Sequence, residues 1–394
     1  MEKERTFLIS ADSHVSEPPD LWTTHLGKKY GSRVPHVAHH GGSTGLQGDW
    51  IVAEGMAPGS LAMGNIGAWP REERMRRAFD FGVKDTPPAA SDPAARLKVM
   101  DTDGVHAEVI HPTYGARHWT MRDAELQRAC FEVTNTWIAE FCGAAPDRLL
   151  GLGQLSLHDI PSAIEEMHRC IRIGMSGVMI HPVPPPEQPF SSVHYERFWA
   201  AAAEAGVPVS LHGLPPFDNA FLSQRRKAII AESSTMTLIE DFYLTLVLFD
   251  HTIQLSLSHI LLSGLLERHP KLKLVLSEWG IAWLPQLLAN VDGAYKERPD
   301  GLPLKKLPSE SFREQVWITF DRDPGLPAES IASFGDRLMW ASDYPHVETS
   351  WPESQDAFQS YCRGLDASVK AKIAWQNCAK LRGMKPPADT VARP

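Results

Sequence analysis

Eight short apolar runs recur along the chain, and segments with helical spacing separate most of them. The runs are rich in Val, Ile and Leu and do not alternate with polar residues, so we expect parallel strands that are buried on both faces. The predicted strands are residues 7–12, 108–112, 150–156, 177–182, 207–212, 273–278, 316–320 and 338–343. The predicted helices are residues 123–144, 162–174, 195–205, 252–268, 283–296, 327–334 and 367–382.

This order of elements predicts an α/β fold, a (β/α)8 TIM barrel in a single domain of residues 1–394. Strands that alternate with helices form right-handed crossovers and a parallel sheet. About eight such units favour a closed barrel over an open doubly wound sheet. No Gly-x-Gly-x-x-Gly motif follows the first strand, which argues against a dinucleotide-binding fold.

Two segments interrupt the repeat. Residues 25–95 follow the first strand and are rich in Gly and Pro, and residues 213–251 follow the fifth strand. Long excursions inside a compact domain are usually functional or else disordered. We expect both segments to be inserted lids over the mouth of the barrel.

Composition and charge limit the cellular locations and the classes of binding partner that we expect for the protein. The net charge is −9 and there is no Lys- or Arg-rich run, so we predict neither a nucleic-acid partner nor a membrane partner. The five cysteines contain no C-x-x-C pair, which favours the reducing cytoplasm and disfavours a thiolate zinc site. The N-terminal apolar run is far shorter than the ~20 residues that span a bilayer, and we interpret it as the first strand.

Side chains that bind metals or transfer protons follow most of the predicted strands. They are Asp12, His14, His111, His181, His212, Glu278, Asp343 and His346. The carboxyl ends of barrel strands meet at one face, where active sites lie, and these side chains are ligands for divalent metals. Strand side chains alternate, so Asp12 and His14 should point to the same side. A single histidine at a strand end is more often structural, but a set on about six strands favours a functional site.

Several segments match a known family in order along nearly the whole chain. They are ADSHVSEPPDLW, RLKVMDTDGVHAEVIHP, FWAAAAEAGVPVSLHG, ERHPKLKLVLSEWGIAWLP, MWASDYPHVETSWP and IAWQNCAKL. The chain resembles the amidohydrolase superfamily, within the branch that includes aminocarboxymuconate-semialdehyde decarboxylase and related non-oxidative decarboxylases. The segment least covered by the resemblance is residues 25–95.

The resemblance implies one divalent metal ion, zinc in the first place with manganese open. It assigns Asp12, His14, His212 and Asp343 as the metal ligands. Asp343 would also be catalytic, because a carboxylate beside a metal-activated water can accept its proton. Two carboxylates make a harder ligand set than the usual zinc site, which keeps manganese open.

Glu278 departs from the family pattern, which commonly has a histidine at the end of strand six. That histidine is a catalytic acid and base in the decarboxylases. Glu278 could take the same catalytic role, act as a further ligand, or hold His212 in place. The sequence leaves these three roles open.

Further residues are candidates for contacting the substrate. We expect His111, His181 and His346 to form hydrogen bonds with it or to relay protons. Arg117 could hold a substrate carboxylate, since the guanidinium group matches one, although a surface salt bridge is an equal alternative. Trp279 could form an aromatic wall.

Three functional hypotheses follow. The preferred one is a metal-dependent hydrolase that acts with metal-activated water on a small cyclic or aromatic substrate, because Glu278 replaces the decarboxylase histidine. The alternative is a non-oxidative decarboxylase of a hydroxy- or amino-aromatic carboxylic acid, and the third is a catalytically silent ligand-binding barrel. We also predict a homodimer, from the resemblance and from the aromatic, Leu-rich residues 242–249 that need covering.

Overall fold

A computed structural model describes residues 5–39, 48–78, 81–213, 249–321 and 326–385. Eight parallel strands pair in the order β1-β5-β6-β7-β8-β9-β10-β11, and three short antiparallel strands form a separate sheet, β2-β3-β4. The strands are β1 (Leu8–Val15), β2 (His36–His39), β3 (Asp49–Val52), β4 (Gly59–Ser60), β5 (Val105–Pro112), β6 (Leu149–Gln154), β7 (Gly177–Ile180), β8 (Pro208–His212), β9 (Lys273–Ser277), β10 (Val316–Phe320) and β11 (Leu338–Trp340).

The first and last strands of the large sheet join just past the end of β11. The backbone N–H of Asp343 donates to the carbonyl of Asp12 at 3.0 Å, and the N–H of His14 donates to the carbonyl of Tyr344 at 2.7 Å. The sheet therefore closes on itself, and the predicted TIM barrel is confirmed. All eight predicted strands are present.

Burial on both faces explains the continuous apolar runs. Leu274 of β9 packs outward among residues of the surrounding helices, such as Trp199 and Ile253. Its neighbour Val275 points into the barrel and packs with Ile9 and Met179 from other strands. Successive strand residues face opposite sides, so both sides of each strand must be apolar.

The helices surround the barrel and mostly begin where the sequence predicts. Asp92, Asp123 and Asp159 are N-caps whose side chains accept backbone N–H groups of the first turn. The helices are α1 (Leu21–Tyr30), α2 (Arg71–Ala78), α3 (Pro93–Asp103), α4 (Ala124–Gly143), α5 (Ile160–Arg172), α6 (Glu196–Ala205), α7 (Phe249–Leu262), α8 (Leu265–Arg268), α9 (Leu284–Glu297), α10 (Pro308–Gln315), α11 (Ala328–Ser333), α12 (Ser354–Tyr361), α13 (Ala367–Ala371) and α14 (Asn377–Arg382), with a π-helical turn at Lys372–Gln376. In the described part of the chain, none is both long enough and apolar enough to cross a bilayer.

The first predicted insertion, residues 25–95, holds the small sheet and α2, and it contacts loops at the carboxyl end of the barrel. The N–H of Gly67 donates to the carbonyl of Pro345 at 3.0 Å, in the loop after β11. A Cβ at Gly67 would lie 1.8 Å from the carbonyl oxygen of His346, so only glycine allows this approach. Its function as a lid stays a prediction. The second predicted insertion, residues 213–251, falls almost wholly outside the described residues, as do residues 242–248.

Arg74 of α2 fastens the insertion to the loop after β11. Its side chain is buried and donates to five carbonyl oxygens, at distances from 2.9 to 3.4 Å. Those acceptors belong to Gly67, Trp69, Val347, Thr349 and Trp351. One guanidinium group thus joins two segments that are far apart in sequence.

Candidate metal centre

Four buried side chains meet at the carboxyl end of the barrel, and we call Asp12, His14, His212 and Asp343 the ligand cluster. Each is between 1% and 3% exposed. His14 Nε2 lies 3.4 Å from Asp12 Oδ1, 3.4 Å from Asp343 Oδ1 and 3.2 Å from His212 Nε2. His212 Nε2 is also 3.4 Å from Asp12 Oδ1. Four of the six pairs of residues in the cluster thus have ligand-type atoms 3.2 to 3.4 Å apart.

These distances fit a divalent metal ion. Metal–ligand bonds of ~2.1 Å in a tetrahedral arrangement separate neighbouring ligand atoms by about 3.4 Å. Both carboxylate oxygens of Asp343, and Oδ1 of Asp12, are buried without a hydrogen-bond partner among the described residues. Buried charged oxygens are costly unless they are paired or coordinate a metal. A bound cation would satisfy all three oxygens.

An irregularity in β1 helps to place the first two members. Ser10 pairs with Glu108 and Ser13 pairs with Ile110, so β1 contains one residue more than β5 over this stretch. Bulges of this kind redirect side chains and are common beside active sites. The hydroxyls of Ser10, Ser13 and Ser342 contact one another at 2.8 to 3.1 Å and join the bulge to the end of β11.

The tautomer of His212 leaves one ring nitrogen available. Its Nδ1 lies 2.7 Å from the carbonyl oxygen of Gly213, an acceptor that can only receive a hydrogen. Nδ1 therefore carries a hydrogen, so in the neutral ring the lone pair is on Nε2, the nitrogen that faces Asp12 and His14. Such a hydrogen bond is the usual way of fixing a metal-binding imidazole.

Electrostatics within the ligand cluster favour an ionised Asp12 and a neutral His14. Burial alone would raise the pKa of Asp12, but the facing imidazoles of His111 and His212 outweigh it and hold that pKa well below its usual value. Burial, followed by the charge of His346, holds the pKa of His14 well below its usual value. Carboxylate and neutral imidazole are the forms that bind metal.

Glu278 lies beside the ligand cluster. Its Oε2 is 3.5 Å from His212 Nδ1, and its backbone N–H donates to Thr319 Oγ1 at 3.0 Å. The side chain is 28% exposed, so it is the most accessible acidic group of the site. Burial, and then the negative charges of Asp343 and Asp12, raise the pKa of Glu278 well above its usual value.

Two additional histidines flank the carboxylates of the cluster. His111 Nδ1 lies 2.9 Å from Asp12 Oδ1, and burial lowers the pKa of His111. His346 Nδ1 lies 3.2 Å from Asp343 Oδ1, and its Nε2 lies 3.2 Å from Thr113 Oγ1. The ring of His346 stacks on that of His14 with centroids 3.7 Å apart. Six side chains of types that can bind a metal ion thus form one continuous group.

Residues 11–383 match the Amidohydrolase family. The chain belongs to the amidohydrolase family.

The chain is similar to several proteins named as decarboxylases or amidohydrolases. Gamma-resorcylate decarboxylase of Rhodococcus jostii is 26% identical over 267 residues, which cover 64% of this chain and 76% of that protein. An amidohydrolase from Mycobacterium avium subsp. paratuberculosis superposes with a TM-score of 0.74 at 25% identity, covering 98% of this chain and 99% of the other. A dihydroxybenzoic acid decarboxylase of Polaromonas, solved with bound manganese and the inhibitor 2-nitroresorcinol, shares the fold with a TM-score of 0.64 at 17% identity, covering 98% and 100%.

The other residues predicted to bind substrate lie around the barrel mouth of this amidohydrolase. His181 Nδ1 lies 2.6 Å from the carbonyl oxygen of Val183, in the loop after β7. Arg117 donates to the carbonyl of Pro58 in the insertion at 3.2 Å. Trp279 is buried, and its indole N–H donates to the carbonyl of Leu211 at 2.8 Å, so it packs against β8 beside His212. Their roles toward a substrate stay predictions.

Two threonines of the site were not among the residues predicted from the sequence. Thr319, near the end of β10, accepts the N–H of Glu278 and lies 3.5 Å from Asp12 Oδ2. Thr113 contacts His346. A threonine in an apolar run is ordinary for a strand, so only the position at a strand end could have singled these residues out.

Proposed function

We propose that the protein is a metal-dependent, non-oxidative decarboxylase of a hydroxylated aromatic carboxylic acid. The observation on which the proposal depends is the ligand cluster, with its ligand atoms 3.2 to 3.4 Å apart and three carboxylate oxygens otherwise unpartnered. Asp12, His14, His212 and Asp343 would hold the ion. When bound, the ion would polarise oxygen atoms of the substrate.

The relatives favour decarboxylation over the hydrolysis preferred from the sequence. The curated relatives are named gamma-resorcylate decarboxylases, and they match 64% or more of this chain. Their substrates, by name, are hydroxylated aromatic acids. The argument for hydrolysis was the replacement of a family histidine by Glu278, and a carboxylic acid can also donate a proton.

The chain's own groups supply binding and proton transfer. In the overall reaction the bond between the ring carbon and the carboxylate breaks and CO2 leaves. The electron pair of the broken bond stays on the ring carbon, which takes up one proton. Hydrogen thus replaces the carboxylate group on the ring. Glu278 is our first candidate for delivering that proton, because its side chain is 28% exposed and its Oε2 lies 3.5 Å from Nδ1 of His212. His346, at 3.2 Å from Asp343, is the second candidate for moving a proton.

Manganese is the metal we propose first. The side chains at the site are the imidazoles of His14, His212 and His111 and the carboxylates of Asp12 and Asp343. Carboxylate oxygens suit manganese, whereas metals that prefer sulfur ligands favour thiolates. The Polaromonas decarboxylase contains manganese. Zinc, which the family resemblance put first, is the alternative.

The test is product analysis with manganese-loaded enzyme. We expect hydroxylated benzoates such as 2,6-dihydroxybenzoate to release one CO2 per ring product. In D2O the product should carry one deuterium on the carbon that lost the carboxylate. Uptake of oxygen-18 from labelled water into the product, without CO2, would instead establish the hydrolase.

Variants connect the activity with the site. His212→Ala and Asp343→Asn should each abolish turnover and lower metal content. Glu278→Gln should keep the metal but lose most turnover, because the amide cannot donate an acidic proton. A Glu278→Gln enzyme as active as the parent would remove Glu278 from the mechanism, and His346→Gln would then be the variant to measure.

A further inference from the structure

His111 does not behave like a substrate-contacting residue. It is 0% exposed, at the end of β5, and both ring nitrogens lack a hydrogen-bond partner among the described residues. Buried imidazole nitrogens nearly always have a partner, so this one calls for an explanation. A substrate at the barrel mouth offers none, since the ring has no exposed surface.

The contact between His111 and Asp12 is short. His111 Nδ1 and Asp12 Oδ1 are only 2.9 Å apart, yet neither atom has a partner with hydrogen-bond geometry. Two ligand atoms that lie side by side in this way are typical of neighbours on one metal ion.

The register of the strands places His111 correctly for this role. His14 of β1 pairs with His111 of β5, so the two histidines stand side by side at the same level of the barrel. Paired residues of neighbouring strands point to the same face of a sheet. Asp12, His111 and His212 each offer a ligand atom, and these atoms all lie within 4.8 Å of one another.

We propose that His111 is a fifth protein ligand of the metal ion, in addition to the ligand cluster; this inference rests on the proposed metal-dependent function. The spacing agrees with five protein ligands. Bonds of ~2.1 Å at right angles separate ligand atoms by about 3.0 Å, whereas a tetrahedral arrangement separates them by about 3.4 Å. The contact of 2.9 Å matches the first value and the contacts of 3.2 to 3.4 Å approach the second, as expected when coordination exceeds four.

Cobalt substitution tests the coordination directly. Absorption of Co2+ in the visible range is weaker for five- and six-coordinate ions than for four-coordinate ions. We expect a weak spectrum for the Co2+-loaded parent and a several-fold more intense one for His111→Leu. Affinity for Mn2+, measured by competition with a chelator, should fall more than about 100-fold, beyond the 10- to 100-fold loss typical of an outer-shell partner.

His111→Cys makes the inference falsifiable even if the leucine variant folds poorly. A thiolate at this position that binds Co2+ gives a sulfur-to-cobalt charge-transfer band in the near ultraviolet. We expect that band in His111→Cys and not in the parent. A Co2+-loaded His111→Cys protein without the band would overturn the inference.

His118→Leu is the matched control. His118 is also a fully buried imidazole without hydrogen-bond partners for its nitrogens among the described residues, but it packs against Trp22 and Phe131. It should fold with the parent's cobalt spectrum and metal affinity. If His111→Leu has the same cobalt spectrum and the same metal affinity as His118→Leu, His111 is not a ligand. Loss of metal in His212→Ala would still support the proposed function in that case. A parent that binds no metal would overturn the proposed function itself.

Discussion

Asp343 and Glu278 are, among the described residues, the non-glycine positions with a left-handed backbone, at φ of +54° and +67°. Asp tolerates this conformation better than most residues, whereas for Glu it is uncommon. Sparsely populated backbone conformations cluster at active sites, where the surrounding structure enforces them. Both strained residues had already been singled out from the sequence, because they lie at the ends of predicted strands.

A buried acidic residue just after β1, Glu17, leads to a prediction about pH. It is 1% exposed and accepts the backbone N–H groups of Tyr114 and Gly115, both at 2.9 Å. Burial raises its pKa to about 7, although the accepted backbone N–H groups lower it. Between its unfolded pKa of ~4.3 and that value, the folded state binds more protons than the unfolded state, so stability falls as pH rises.

Glu17→Gln should remove this pH dependence. The difference in free energy of unfolding between parent and variant should change by up to about 3 kcal/mol between pH 4.5 and 7.5, with the parent losing stability relative to the variant. Urea denaturation of both proteins across that range measures it. A constant difference would show that Glu17 titrates at its ordinary pH.

At the scale of elements, helix α2 attaches the insertion, residues 25–95, to the loop after β11. Arg74 is 6% exposed and donates to carbonyl groups of both the insertion and the loop after β11. That loop follows directly on Asp343 and His346. We therefore expect Arg74 to hold the metal-binding end of β11 in place, although it lies outside the cluster.

Arg74→Met should destabilise the protein by about 3 kcal/mol, because buried carbonyl groups would lose their donor. It should also weaken metal binding, which Arg74→Lys should restore only in part, since an ammonium group has three donors and not five. Arg76→Met is the control on the same helix, where the side chain is 77% exposed. Equal stability and metal affinity for the Arg74 and Arg76 variants would contradict this role.

The elements differ in how far the sequence could predict them. The eight strands were predictable because burial on both faces produces unbroken apolar runs. The strand ends also pointed to the four residues that the structure brings together in the cluster. The contacts of Arg74 with Val347 and Trp351 were not predictable, because they join positions more than 270 residues apart. The ligand role proposed for His111 was not predictable for a related reason, because its place beside His14 depends on the pairing of β1 with β5. The bulge in β1 leaves no trace in the run of apolar residues.

At the scale of the whole molecule, the cluster joins the two edges of the sheet. Asp12 belongs to β1, His212 to β8, and Asp343 follows β11. A metal ion bound between them would stabilise the closed barrel over any opened form. The homodimer and the cytoplasmic location stay predictions, since a single chain tests neither.

Removal of the metal should therefore lower the melting temperature. At a free metal concentration 100 times the Kd, binding stabilises the folded state by about 2.7 kcal/mol, and a chelator removes that contribution. Differential scanning calorimetry with and without chelator measures the shift. His212→Ala should melt at the same temperature in both conditions, and a parent without a chelator effect would argue against a metal that links the strands.

The closure of the barrel has a consequence for biosynthesis. Ser13 and Ser342, whose hydroxyls meet at 3.0 Å, are 329 positions apart. A ribosome that has completed β1 through β10 has not yet made Asp343, so the emerging polypeptide has two histidines and one aspartate of the cluster but no finished binding place. We therefore expect the metal ion to bind late, only after the chain has been translated through its last strand.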